Sequence, residues 1–320
     1  MKYVTSGNML LFDQSFNEPL TEYLDIISNY NIIIFNDYKL DIKQNYDNFY
    51  TKYEDDIYCE ILNNYRGPFN DNDNNKYILS RSYYGSIFNQ SIDNLPLSVT
   101  HLTLGYNFSQ PINSLPSSLT HLTFGGEFNH PIDNLPSSLT HLTLGYLFDQ
   151  PIDNLPPTLT HLTLGNNFNQ PVDLLPSGLT HLSLGGIFNR PIDNLPSALT
   201  HLILSFNFNQ PINNLPSGLT HLTINGQFNQ PINLSTLPKS LKYLTFGSVD
   251  KYPNELPSTV THLTLKRNFL HPIDSLPFSL SSITHLIVTY EYYTKYEHII
   301  NSYKTLKVEF HSKSELIYYD

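Results

Sequence analysis

The chain is 320 residues long, 40% hydrophobic and 13% aromatic, which is enough apolar matter for a substantial core. Only 14% of it is charged and the net charge is −11 with 17 Lys and Arg, so the clustered cations that grip a phosphate backbone or an anionic bilayer are missing, and no nucleic-acid or membrane partner is expected. Its one cysteine, Cys59, excludes an internal disulfide and a cysteine-based zinc site. The opening MKYVTSGNMLLF is too broken for a signal-peptide core and the apolar run Ile32–Phe35 too short for a membrane span, so a soluble cytoplasmic protein of the reducing cell interior is expected.

In chain order, Met9–Leu20 (MLLFDQSFNEPL) aligns with HLTLGYNFSQPI at 101–112 and reads as a decayed copy of a unit that recurs later. Ile32–Ile42 (IIIFNDYKLDI) is a second candidate of that kind. Residues 43–75 are rich in Asn, Asp and Tyr without a clean period, which predicts loop with a short helix around Asp55–Asn63. The whole of 1–87 is therefore expected to be degenerate repeats serving as an N-terminal capping region.

From Phe88 the period is plain: Phe88, Phe108, Phe128, Phe148, Phe168, Phe188, Phe208 and Phe228 are 20 residues apart. Within a unit, Thr120-His121-Leu122-Thr123-Phe124 alternates strictly, so Leu122 and Phe124 share one face of a strand, and His121 and Thr123 the other. Across the turn, Phe108, Ile112 and Leu115 are their expected core partners. Pro111 and Pro116 forbid a helix between them and favour an extended return path. The register loosens after Phe228, with Leu237-Pro238 two residues late and an insertion at Ser281-Ser282-Ile283, which loops absorb and strands do not. A helix is expected over Tyr292–Tyr303 and a last strand over Leu306–Phe310. The predicted architecture is mainly β: a leucine-rich-repeat-like solenoid of about ten 20-residue turns over 88–289, with a long parallel sheet on one face, an irregular or extended return on the other, and a C-terminal cap over 290–320.

The unit F-N-Q-P-I-x-x-L-P-x-S-L-T-H-L-T-L-G resembles the FNIP repeat, a variant leucine-rich repeat known from social amoebae and from giant viruses that infect amoebae. The likeness covers roughly residues 88–289, and L-P-x-S-L-x-x-L also looks like the repeats of some bacterial effectors. The resemblance implies a protein-interaction scaffold without enzymatic activity or cofactor. Some members of the family carry an N-terminal F-box that docks them on a ubiquitin ligase. Residues 1–87 show no Leu-Pro-led helical start followed by an amphipathic pattern, so a ligase-adaptor partner is the second reading.

Three sets of residues could carry chemistry. The histidines His101, His121, His141, His161, His181, His201, His221, His262 and His285 form a column on the open sheet face, interrupted by Tyr243. Such a column is a stacked surface first, and a pH-sensitive patch or a zinc or copper site only second. The Asn column (Asn89, Asn129, Asn169) and the Asp column (Asp93, Asp133, Asp153) are expected to satisfy turn backbone. Ser, His and Asp recur at fixed phase in nearly every unit, whereas a hydrolase needs one asymmetric constellation, so a metal-binding or hydrolytic role is the reading of another class. The variable positions before each Phe lie at the sheet rim, and Tyr106, Tyr146, Leu147, Ile187 and Phe206 there are expected to meet a protein partner, together with His121, His141, His161, His181 and His201 on the face.

Overall fold

In each central unit Gly after the strand and the prolines of the return path confine regular pairing to a short segment centred on His-Leu-Thr. Those three residues are the strand in every central turn: His101–Thr103, His121–Thr123, His141–Thr143, His161–Thr163 and His181–Ser183. The computed structural model describes residues 3–13, 15–35, 38–39, 80–81, 86–226, 228–232, 237–247, 255–266, 269, 271–275 and 280–310. Across them one 14-stranded sheet runs from Tyr3–Ser6 to Lys307–Phe310. The first two strands form an antiparallel hairpin about Gly7, whose φ of 53° is glycine territory. From Met9–Phe12 onward every pairing within this sheet is parallel, and a separate antiparallel pair joins Tyr38–Lys39 to Ser80–Arg81.

The register is unshifted. His101 faces His121, which faces His141, and so on to His221, then Tyr243, His262, His285 and Lys307. The backbone ladder is reinforced at its entry, where the Thr100 carbonyl accepts from both the Thr120 and His121 amides at 2.8 and 3.1 Å, a pattern repeated up the array. Behind the sheet, Leu122, Phe124, Phe128, Ile132 and Leu139 and their counterparts are buried in one continuous core. Successive rings of the Phe column stack 6.1–6.2 Å apart. Of the three expected partners on the return path, Phe108 and Ile112 are buried, and Leu115 is only half-buried because Pro116 takes the deeper position.

In the central turns the return path is irregular, without helix or strand, and it closes with a Pro-x-x-Leu turn in which the Leu119 amide donates to the Pro116 carbonyl at 3.0 Å. Proline suits that position: it supplies an acceptor, and no amide of its own is left unpaired.

At the start, Met9–Phe12 and Ile32–Phe35 are strands of the same sheet, and Ile32 pairs in register with His101. Phe35 stacks on Phe88 at 3.8 Å, and the Asn17 side-chain oxygen accepts from the Asn89 amide at 2.9 Å. In sequence, residues 36–87 separate Phe35 from Phe88, where the three residues Gly105-Tyr106-Asn107 separate Leu104 from Phe108 in a central unit. The expected helix at Asp55–Asn63 lies outside the described residues, as do 43–75 as a whole.

At the other end the helix is Tyr290–Ile300, displaced from the expected span because Thr289 caps it by accepting from the Tyr292 amide at 3.1 Å. Tyr292, Tyr296 and Ile300 bury against the last turns. The final strand is Lys307–Phe310.

Candidate binding face and rim

The outward residue at the start of each strand is the histidine, and an unshifted parallel register places each imidazole over the last. The rings are face to face: centroids lie 3.9–4.1 Å apart from His101 through His221, within 16° of parallel. Tyr243 continues the column at 4.1 Å from His221. It is a residue of the stack rather than a gap in it.

Each ring is held from one edge. Thr160 Oγ1 lies 2.9 Å from His161 Nδ1 and donates to the Thr140 carbonyl at 3.1 Å, and the same pair of contacts recurs at Thr180, Thr200 and Thr220. A hydroxyl has one proton. When it goes to the carbonyl, Nδ1–H donates to Oγ1 and Nε2 is bare; when it goes to the ring, Nδ1 accepts and Nε2–H points outward. In both arrangements the imidazole is neutral.

Burial holds it neutral. Desolvation pushes the pKa values of His161, His181 and His221 down to about 4 and that of His121 to about 3, with repulsion from neighbouring imidazoles adding to it. His101, His141, His201 and His262 are lowered for the same leading reason.

A metal site needs nitrogens that converge on one point about 2.0–2.1 Å from each. Near-parallel stacked rings aim their Nε2 atoms side by side instead, and among the described residues no three His, Cys, Asp or Glu side chains could share an ion. The Asp column is occupied elsewhere: Asp133, Asp173 and Asp193 accept from Asn154, Asn194 and Asn214 of the next turn at 3.0–3.1 Å. A Ser-His-Asp relay is not assembled by these contacts.

The Asn column forms the ladder that its position suggests. Asn189 Oδ1 accepts from the Asn209 amide at 2.8 Å and from Gln210 Nε2 at 3.2 Å, and Asn209 does the same for Asn229 and Gln230. Asp149 replaces Asn in one rung without loss, accepting from the Asn169 amide at 2.9 Å.

The rim residues divide. Tyr146, Ile187 and Tyr106 are exposed at 48%, 42% and 37%, whereas Leu147 and Phe206 are half-buried. Tyr106 and Phe206 nevertheless share one packing feature. A β-carbon on Gly126 would run into the Tyr106 ring, and one on Gly226 into the Phe206 ring and carbonyl. Each aromatic lies over the glycine of the next turn. Sequence reasoning missed Ile203, which sits on the outer face in the threonine row and is 43% exposed. The replacement of HLTL by HLIL at 201–204 was the available signal. Leu97 and Leu174, exposed on the return path, were likewise visible only as departures from the unit.

Between His101 and Tyr243 the outward strand positions hold only His, Thr, Ser and Ile, so this face is a charge-free strip. Among the described residues no helix is long and apolar enough to cross a membrane.

A parallel sheet of one short strand per 20-residue turn, with an irregular return, defines a leucine-rich-repeat-like solenoid. The FNIP Repeat matches residues 88–127, 112–147, 128–167, 148–187, 168–207 and 208–248, and the chain belongs to the FNIP-repeat family. Among solved structures it is similar to the giant-virus protein CroV588, described as a novel circular LRR protein. That match is at 34% identity with a TM-score of 0.67, covering 90% of this chain and 38% of that one. This chain therefore spans well under half the length of that relative. YopM from Yersinia enterocolitica WA-314 aligns at 21% identity over 63% of this chain and 53% of that one, with a TM-score of 0.29. Comparison with curated proteins returns no match.

Proposed function

We propose that the chain is a non-catalytic protein-binding scaffold whose contact surface is the histidine face of the sheet together with its rim. The observation that carries this reading is the charge-free strip from His161 to His221, bordered by exposed Ile203, Ile187 and Tyr146. Exposed apolar side chains on a rigid, uncharged surface are what the centre of a protein interface requires. The neutral imidazoles add flat rings with one polar edge, which suits a surface that is dry when bound.

Chemical class favours a folded protein over other ligands. The strip lacks the cations that nucleic acid needs and the converging ligands that a metal needs. The similarity to a giant-virus protein and the lone thiol of Cys59 fit a partner met in the reducing interior of a host cell. In this reading residues 1–87 are an N-terminal capping region of degenerate repeats, 88–289 the repeat array and 290–320 the cap.

The test is affinity capture from host-cell extract with the full chain and with an Ile187→Asp/Ile203→Asp variant, both side chains being solvent-exposed. Proteins retained by the first and lost by the second, with the thermal midpoint unchanged, support the face as the contact surface. An identical retained set sinks it. Recovery of a cullin-ligase adaptor with the full chain would instead bring the ligase-receptor reading forward. Point changes are the right tool, because deleting 1–87 would remove the strands Met9–Phe12 and Ile32–Phe35 from the sheet.

A further inference from the structure

The sheet ends differently at its two edges. At the start the Tyr3–Ser6 strand turns back antiparallel, whereas at the finish, among the described residues, Lys307–Phe310 is the last strand and is paired on one side only. Its register with His285–Val288 determines which backbone groups are used. The Lys307 amide donates to the Thr284 carbonyl at 2.8 Å. In a parallel pair, alternate residues turn both backbone groups to the same neighbour, so Lys307 and Glu309 face the sheet. Val308 and Phe310 face the open edge. An edge of this kind is a template for another strand.

The two faces of the strand are also distinct. Val308 and Phe310 continue the apolar rows of Leu286 and Val288, yet Phe310 is 47% exposed. Its ring rests on Tyr290 and Tyr293 of the capping helix, with centroids 5.5 and 5.4 Å away, and Tyr290 is itself 66% exposed. On the opposite face, Lys307 and Glu309 form an exposed ion pair at 2.9 Å.

This four-residue pattern is self-complementary. An antiparallel copy centred on Val308 makes Val308 a hydrogen-bonded pair with its own counterpart, which uses the groups left open. It sets Phe310 opposite Leu306 in one apolar layer. On the other face it sets Lys307 opposite Glu309 twice. A one-residue slip would oppose apolar to charged side chains on both faces. We propose that the chain self-associates through this edge, two Lys307–Phe310 strands pairing antiparallel about a two-fold axis at Val308 to join two sheets into one.

The experiment is sedimentation equilibrium of the full chain and of two variants, Lys307→Glu and Glu309→Lys, alone and mixed. The wild-type chain is expected to dimerise with rising concentration. Each variant alone turns two attractive pairs into two repulsive ones and is expected to weaken the dimer about tenfold or more. Mixing the two variants opposes unlike charges again and is expected to restore a one-to-one dimer. Circular dichroism should be unchanged throughout, since both side chains are exposed. A wild-type chain that stays monomeric overturns the proposal, as do single variants that dimerise like wild type or a mixture that does not recover. The outcome is independent of whether the histidine face binds a partner.

Discussion

The β-carbon that Gly165 lacks would overlap the carbonyl oxygen of Gly145, one turn below it. Gly125, Gly145 and Gly185 stand in the same relation to the turns before them, so this glycine column sets how closely the turns approach where the chain leaves the sheet. Gly165→Ala is expected to cost about 2 kcal/mol or more, since backbone rather than a flexible side chain must move. Gly178→Ala is the control: its new carbon meets nothing closer than the Pro157 carbonyl oxygen at 3.7 Å, and stability should hold or rise by about 0.5 kcal/mol. Urea denaturation of the two variants compares them directly, and equal effects would show that the column does not set the spacing.

The histidine column makes stability depend on pH in a direction that can be worked out. The folded pKa values of His161, His181 and His221 are near 4, below the roughly 6.5 of an unfolded imidazole. Between those values the unfolded chain binds more protons than the folded one, so stability rises with pH across this window. It is fully present above about 6.5 and falls as the pH drops toward 4. The urea midpoint should therefore decrease from pH 7 to pH 4.5, and less steeply in His181→Gln. A flat profile would mean that the stacked rings are no more shielded than free imidazole.

The asparagine ladder predicts a difference between two small changes at one position. Asn189→Ala removes the acceptor for the Asn209 amide and Gln210, and should cost about 1 kcal/mol. Asn189→Asp keeps the acceptor, as Asp149 already does two rungs below, and should cost less than half as much. Thermal unfolding of the pair reads this out.

Two rim aromatics should respond differently to truncation. Phe206→Ala uncovers Gly226 and is expected to lower stability by about 1–2 kcal/mol, the share of a half-buried ring. Tyr146→Ala, at a side chain 48% exposed, should leave the thermal midpoint within a degree or two and act on partner binding alone. Equal thermal losses would place both rings in the packed structure.

Much of the fold was written in the period of the sequence. A 20-residue spacing of Phe, a strict two-residue alternation in Thr-His-Leu-Thr-Phe and prolines at fixed phase leave few alternatives to one short parallel strand per turn. Local pattern alone also supported the decayed strand at Met9–Phe12 and the closing strand at Lys307–Phe310. The start of the last helix was less legible, because it is set by a cap at Thr289, ahead of the expected start at Tyr292.

The candidate surface was only half legible. That the histidines share a face follows from alternation, and that they are uncharged there does not, because neutrality arises from burial among rings stacked 4 Å apart. What a rim aromatic packs on depends on the residue one turn later: the rings of Tyr106 and Phe206 lie over Gly126 and Gly226, whereas Asn166 stands one turn after Tyr146. Partners 20 residues apart become neighbours only once turns are stacked. The sequence by itself thus determined the unit, its strand and its inward rows, since these rest on chirality, alternation and proline geometry within a few residues. Tertiary structure decided the charge state of the face and the exposure of the rim, since those depend on what the neighbouring turn supplies.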